Sequence, residues 1–170
     1  MYARRQFLVG LGALVLAPAC APKRGPDPFV GFSGQVSEAL RRRLTAFERV
    51  IREHRWDEAL GYFQAEHRGF QHELFFSPDD HDGPRDPGDP GDQRAFRDWY
   101  LIETLGLHYV DNYVDSLSEI HRIEYRSVHE PFGADGPLQI DLRVLCTGGR
   151  ERTGWFFVDR STLTFFGSVG

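Results

Sequence analysis

Cysteine is nearly absent: Cys20 and Cys146 are the only two in 170 residues. Two thiols cannot build the disulfide framework that staples small secreted domains, so the fold must rest on its core. Cys146 lies in an apolar, alternating segment, where a thiol is a small buried hydrophobe with nothing nearby to lower its pKa. Positive charge is also scarce. Twenty Lys and Arg stand against 25 Asp and Glu, a formal net charge of −5. Phosphate binding needs a basic face, so nucleic acid is excluded as a partner class. The one basic run, Arg41-Arg42-Arg43, fans over roughly 200° of a helix and forms no patch. It reads as a solvated face, with a membrane-surface contact as the alternative. No apolar run reaches the ~20 residues a helix needs to cross a bilayer. HExxH, CxxC, a Gly-rich phosphate loop, a Ser-His-Asp signature and internal repeats are all missing. His54, His67 and His72 run alongside Glu53, Glu66 and Glu73. However, His67 and His72 would sit about 140° apart on a helix, the wrong spacing for a metal pair. No metal and no cofactor is expected.

What is present is the make-up of one globular domain: 41% hydrophobic, 26% charged and 14% aromatic residues, with Phe dominating. The first twenty residues stand apart. Arg4 and Arg5 supply a positive start, Phe7 to Leu16 is apolar, and Ala17-Pro18-Ala19-Cys20 is a small-residue stretch. This is the layout of a cleaved export signal. Its removal takes away Arg4 and Arg5 and no acid, leaving 18 basic against 25 acidic residues, a net −7.

Two finer resemblances lie in the same stretch. Arg4-Arg5-Gln6-Phe7-Leu8 resembles a twin-arginine signal, although Ala3 and Val9 stand where that pattern has Ser or Thr and often Lys. Cys20 is similar to the lipidated cysteine of a bacterial lipoprotein. Ala19 fits the small residue before it, but Ala17 stands where Leu is usual and Leu16 is one step further back. Cleavage after Ala19, with Ala17 and Ala19 as the small pair, is the alternative. The implied protein is exported and held at Cys20 in the cell envelope, facing the periplasm or the cell surface.

Residues 1–20 therefore read as a signal, 21–32 as a Pro/Gly-rich tether, and 33–170 as the folded domain. Ser33 is a plausible N-cap. Val36, Leu40, Leu44, Phe47 and Ile51 recur at helical spacing and predict an amphipathic helix. A second helix is expected, capped by Asp57, with Leu60 and Phe63 inward and an end at Gly69. Residues 70–76 fit a strand or a continued helix. Residues 77–92 are a Pro/Gly loop. Within it Asp80-His81-Asp82-Gly83 echoes a calcium loop but lacks the remaining ligands, so a solvated acidic loop is the better reading. A third helix is expected from Gln93 to a break at Gly106, and residues 107–117 stay open. Then come four strands: Ile120–Glu130, Leu138–Cys146, Arg152–Asp159 and Leu163–Val169. Thr147-Gly148-Gly149-Arg150 forms a hairpin turn, and the meander is antiparallel.

This order resembles the NTF2-like (SnoaL-like, cystatin-like) α+β fold. Trp56-Asp57-Glu58-Ala59-Leu60 is similar to the family's entry to its second helix, Gly91 to Phe96 to the entry to its third, and Gly154-Trp155-Phe156-Phe157 to a strand where Trp is common. The resemblance implies N-terminal helices on a curved antiparallel sheet, forming a cone around a pocket. Members include isomerases, dehydratases, cyclases and hydrolases as well as non-catalytic binding modules, so fold alone does not fix function.

If the odd residues of the first long strand face inward, His121, Ile123, Tyr125, Ser127 and His129 line that pocket. Its even side carries Arg122, Glu124, Arg126 and Glu130, which favours the odd side as the inner one. His121, Tyr125 and His129 are then the candidate catalytic residues, with imidazoles as acid and base and a phenol as donor. Structural polar residues are the blander reading. The family's isomerases pair an Asp base with a Tyr donor; Asp98, Asp141, Tyr100 and Tyr125 are the available types, and Asp141 points away from the apolar face. The reading favoured by the anchor is a non-catalytic module that binds a small hydrophobic ligand or an envelope protein. The alternative is a pocket enzyme of isomerase, dehydratase or hydrolase type. A dimer is compatible with either.

Overall fold

The computed structural model describes residues 36–77, 85–109 and 112–167. The signal with Arg4, Arg5 and Cys20, the tether, Ser33 and Asp80–Gly83 lie outside them.

Helix α1 spans Glu38–Arg52. Ser37 caps it, its Oγ accepting from the Leu40 amide at 3.2 Å. The apolar stripe read from spacing, Val36, Leu40, Leu44, Phe47 and Ile51, is buried, and Val50 joins it. The basic run divides as a helix requires. Arg42 is exposed. Arg43 instead lies over the Tyr62 and Phe165 rings, its guanidinium carbon 4.8 and 5.4 Å from their centroids. It is therefore a packing residue and not part of a solvated face.

The second helical region differs from expectation. It consists of a short α2, Trp56–Leu60, and a separate α3, Ala65–Phe75. Asp57 does not cap α2; it lies in the first turn and pairs with Arg97 at 2.9 Å. Gly69 does not end a helix either. It sits exposed inside α3, and residues 70–75 continue that helix. Helix α4 spans Pro90–Thr104 and starts three residues before Gln93. Asp89 caps it by accepting from the amides of Gly91 and Asp92, and Pro90 occupies a first-turn position where no amide is needed. The expected break at Gly106 is present, with φ at +68°.

The sheet is an antiparallel meander in the order β1-β2-β3-β4, from Ile120–His129, Leu138–Cys146, Glu151–Val158 and Phe165–Phe166. With four helices packed against it, the architecture is α+β, and the sheet does not close into a barrel. Strand β2 alternates without interruption. Leu138, Ile140, Leu142, Val144 and Cys146 are buried, and the residues between them are half-exposed. The last strand is only two residues long, shorter than expected. Phe63 bridges to Phe165 on its far side, and the Gln64 amide donates to the Phe165 carbonyl at 2.8 Å.

The core sits between α1, the α2–α3 turn and the inner face of the sheet. Phe47 is its hub, with ring centroids 5.1 to 6.0 Å from Tyr62, Phe63, Phe156 and Phe165. These edge-on and tilted contacts fill the space between the layers with aromatic carbon.

The segment after α4, left open by the sequence, has a defined task. It runs along the edge of β3. The Trp155 amide donates to the Leu105 carbonyl at 3.1 Å, and the Asn112 side chain both donates to the Thr153 carbonyl and accepts from the Thr153 amide. Asn112 also ties back to the Gly106 carbonyl at 3.1 Å. Backbone groups of a strand edge are thereby satisfied by a loop. The close approach needs Gly154, where any Cβ would run into the Leu105 carbonyl.

Candidate functional site

The candidate residues on β1 do not share one side. The strand carries two register shifts, one between Ile120 and Arg122 and one between Tyr125 and Ser127. Each bulge inserts a residue and flips the alternation. The buried residues are Ile120, Ile123, Tyr125 and Val128. His121 and His129 are exposed, and Ser127 is half-exposed beside Asp141. Only Ile123 and Tyr125 of the expected lining face inward.

Tyr125 is committed to structure. Its hydroxyl donates to the Leu44 carbonyl of α1 at 2.6 Å, tying helix to sheet. Burial, with Glu48 and Tyr62 nearby, pushes the phenol well above its ordinary pKa. The structure therefore does not bring His121, Tyr125 and His129 together. Cys146 is buried as expected, and burial raises its thiol pKa.

On the outer face, His129, Ser127 and Asp141 do meet, joined by Gln139. His129 Nε2 lies 2.7 Å from Asp141 Oδ2 and 3.0 Å from Ser127 Oγ; Ser127 donates to the same carboxylate oxygen at 2.6 Å, and Gln139 donates to Oδ1 at 2.8 Å. This is not the arrangement of a nucleophilic triad. There, the serine gives its proton to one imidazole nitrogen while the acid holds the other. Here the acid takes the serine's hydrogen bond itself. Burial raises the Asp141 pKa, but the hydrogen bonds from Ser127, Gln139 and His129 outweigh it, so the group ends below the ordinary aspartate value. Next along this face, Arg143 pairs with Glu151 and, at 3.3 Å, with Glu124, which also meets Arg122 at 2.8 Å.

Toward β4 the outer-face residues are aromatic. Phe157 stacks on Phe166 at 5.5 Å and meets Phe132 at 5.8 Å. Phe132 is 66% exposed. Trp155 stacks on Tyr109 at 5.3 Å and 16°. The outer face is thus a polar lattice with aromatic rings along the β3–β4 side.

Among the described residues, two depressions between the helices bear on a site. The larger, about 460 Å³, is an open groove between α2, α3 and α4 with Leu60, Ala65 and Phe96 along it. Its Arg97 is already paired with Asp57 and Asp98. The smaller, about 240 Å³, lies between α3 and the end of α4 and is lined by His67, Gln71, Tyr100, Glu103, Thr104, His108 and Tyr109. His67 Nδ1 meets the Tyr100 hydroxyl at 2.9 Å. Burial lowers the His67 pKa and raises that of Tyr100, against a smaller opposing effect of Arg68. Burial thus favours the uncharged form of both groups. His108 Nδ1 lies 3.1 Å from Glu103 Oε2, a pairing distance without hydrogen-bond alignment.

Tyr100 was legible as an available donor. Its partner is not the aspartate that the isomerase resemblance would supply, since Asp98 pairs with Arg97. Glu103, His108 and Tyr109 were missed. They belong to the end of α4 and the aperiodic segment behind it, where no spacing signal marks a shared surface. No cluster of three or more His, Cys, Asp or Glu suited to a metal ion occurs among the described residues.

Comparison with protein-family models, with curated proteins and with solved structures gave no match.

Proposed function

We propose that this is an exported, lipid-anchored protein of the cell envelope whose NTF2-like domain is a binding module that engages an envelope protein across the outer face of its sheet. The export part rests on Arg4-Arg5, the apolar stretch Phe7–Leu16 and Cys20 behind Ala19. A lipid on Cys20 holds a protein at a membrane without a spanning helix. No helix among the described residues is long and apolar enough to cross a membrane. The fold assignment rests on the order of helices followed by an antiparallel meander.

One observation carries the binding part: Phe132, Phe157 and Phe166 meet one another on the outer side, beside Gln139, Asp141, Ser127 and His129, which already hydrogen-bond one another. Aromatic anchors within a polar surround are the composition of protein interfaces. The space between helices and sheet, by contrast, is taken by packed rings around Phe47.

Two variants test the parts separately. Cys20→Ala, expressed in a bacterium, should abolish palmitate labelling and move the protein out of the membrane fraction; unchanged labelling and fractionation would remove the anchor. Phe132→Ser with Phe157→Ser should leave the domain folded by circular dichroism but lose an envelope partner that co-purifies with the native full-length chain. Retention of that partner would remove the face.

A further inference from the structure

The small cavity between α3 and the end of α4 has a composition that selects by charge. Its volume, about 240 Å³, falls below the ~300 Å³ at which drug-sized ligand pockets begin, so only a small molecule fits. One wall is the Tyr109 ring, braced from outside the cavity by its stack on Trp155 and flanked by His108 at 4.1 Å. The His67–Tyr100 pair also lines the cavity, and burial favours the uncharged form of both groups. The floor is the last turn of α4, with Glu103 and Thr104. Helices normally place basic residues in their last turn, because the free carbonyls there form the negative end of the helix dipole. Helix α4 has none, and carries Glu103 at that position instead. The only described partner of Glu103 is the His108 ring, which is out of line for a hydrogen bond. A carboxylate with no aligned hydrogen bond thus stands beside an aromatic ring in one cavity, a setting that suits an ammonium group.

We propose that this cavity binds a small organic cation, with Glu103 as its counter-ion, Tyr109 as the ring wall, and the His67–Tyr100 pair as hydrogen-bonding groups. The ammonium meets the Glu103 carboxylate and displaces or shares the His108 contact. The rest of the ligand lies along Tyr109. Gln71 and His67 offer polar contacts for a hydroxyl or carbonyl on the ligand. This site adjoins the outer sheet face through the Tyr109–Trp155 stack, but its ligand stands or falls independently of the partner proposed there.

Three probes of one shape and different charge test it: benzylamine, benzyl alcohol and benzoate, titrated calorimetrically at pH 7 into the full chain in a non-ionic detergent. The expected order is benzylamine at least tenfold tighter than benzyl alcohol, with benzoate weakest. Glu103→Gln keeps the side-chain shape and should erase the preference for benzylamine while leaving benzyl alcohol within about twofold. Tyr109→Ala should weaken benzylamine and benzyl alcohol alike. Unchanged thermal unfolding of both variants confirms that they fold; if Glu103→Gln does not, Glu103→Asp, which retains the charge, should keep the order of the three probes. No benzylamine binding at 10 mM, equal binding of benzoate, or a preference that survives Glu103→Gln would each overturn the proposal.

Discussion

The two faces of strands β1 to β3 are built from alternate residues of the same segments, yet they solve different problems. On the inner face Ile140, Leu142, Val144 and Phe156 are almost wholly buried and pack with α1 around Phe47. On the outer face Asp141, Arg143, Trp155 and Phe157 stay half-exposed, and the polar ones are held by neighbouring strands. A residue on the first face is constrained by volume, because its neighbours cannot move to fill a gap. A residue on the second is constrained only by its partners' hydrogen bonds. Fold information is therefore concentrated on one side of the sheet, which leaves the other free to carry recognition.

Substitutions should divide along that line. The largest effect is expected from Phe47→Ala, which opens a hole at the hub of the aromatic core and should cost about 3–5 kcal/mol in urea unfolding. A loss below about 1 kcal/mol would mean the core is looser than its ring contacts indicate. Gly154→Ala forces a Cβ against the Leu105 carbonyl, an overpacking expected to cost about 1–3 kcal/mol or more. Tyr125→Phe removes the hydroxyl that ties β1 to α1 and should cost about 1 kcal/mol. On the outer face, Arg143→Ala should leave the urea midpoint nearly unchanged even though the residue is central, because solvent screens its ion pairs.

The smallest difference between the faces is read through pH. Asp141 on the outer face and Asp159 at the β3–β4 turn both have folded pKa values below the ordinary one. Asp159 is lowered to about 2, mainly by the Ser161 hydroxyl and the Thr162 amide. A lowered acid stabilises the fold above its unfolded pKa, near 3.9, and that stability is lost as pH falls through the folded value. The urea midpoint should fall gently below about pH 6.5, where the unfolded chain protonates His67 more readily than the fold does, and fall again from about 4 towards 2; Asp159→Asn should flatten only the second decline. A decline from about 4 towards 2 that is unchanged in Asp159→Asn would assign acid sensitivity elsewhere.

How far the sequence could be read follows the same physics. The stripe on α1, the alternation of β2 and the Gly106 break were legible because one face of each element meets the core and imposes a strict period. On β1 the period was present but misread. Ile120, Ile123, Tyr125 and Val128 are spaced three, two and three apart, and the two steps of three are the bulges. Reading the strand as regular moved His121, Ser127 and His129 to the wrong side and hid the contact of Ser127 and His129 with Asp141. Asp57 and Gly69 had the right types for a cap and a stop, but the chain turns earlier, between Leu60 and Ala65, where the Gln64 amide and the Tyr62 carbonyl bond to Phe165. That choice is made by a residue a hundred positions away and leaves no local mark. The cavity around Glu103 and His108 was illegible for the same reason: it forms only because Asn112 and Gly154 dock the segment after α4 onto β3.

The central claim, that the outer face is the working face, is tested most directly by site-specific photocrosslinking in living cells. A photoreactive residue at Phe157 is compared with one at Thr45, exposed on α1. The account predicts a discrete crosslinked product with an envelope protein from position 157 and none from 45. Crosslinks from 45 alone, or none from 157 with the protein correctly anchored, would contradict it.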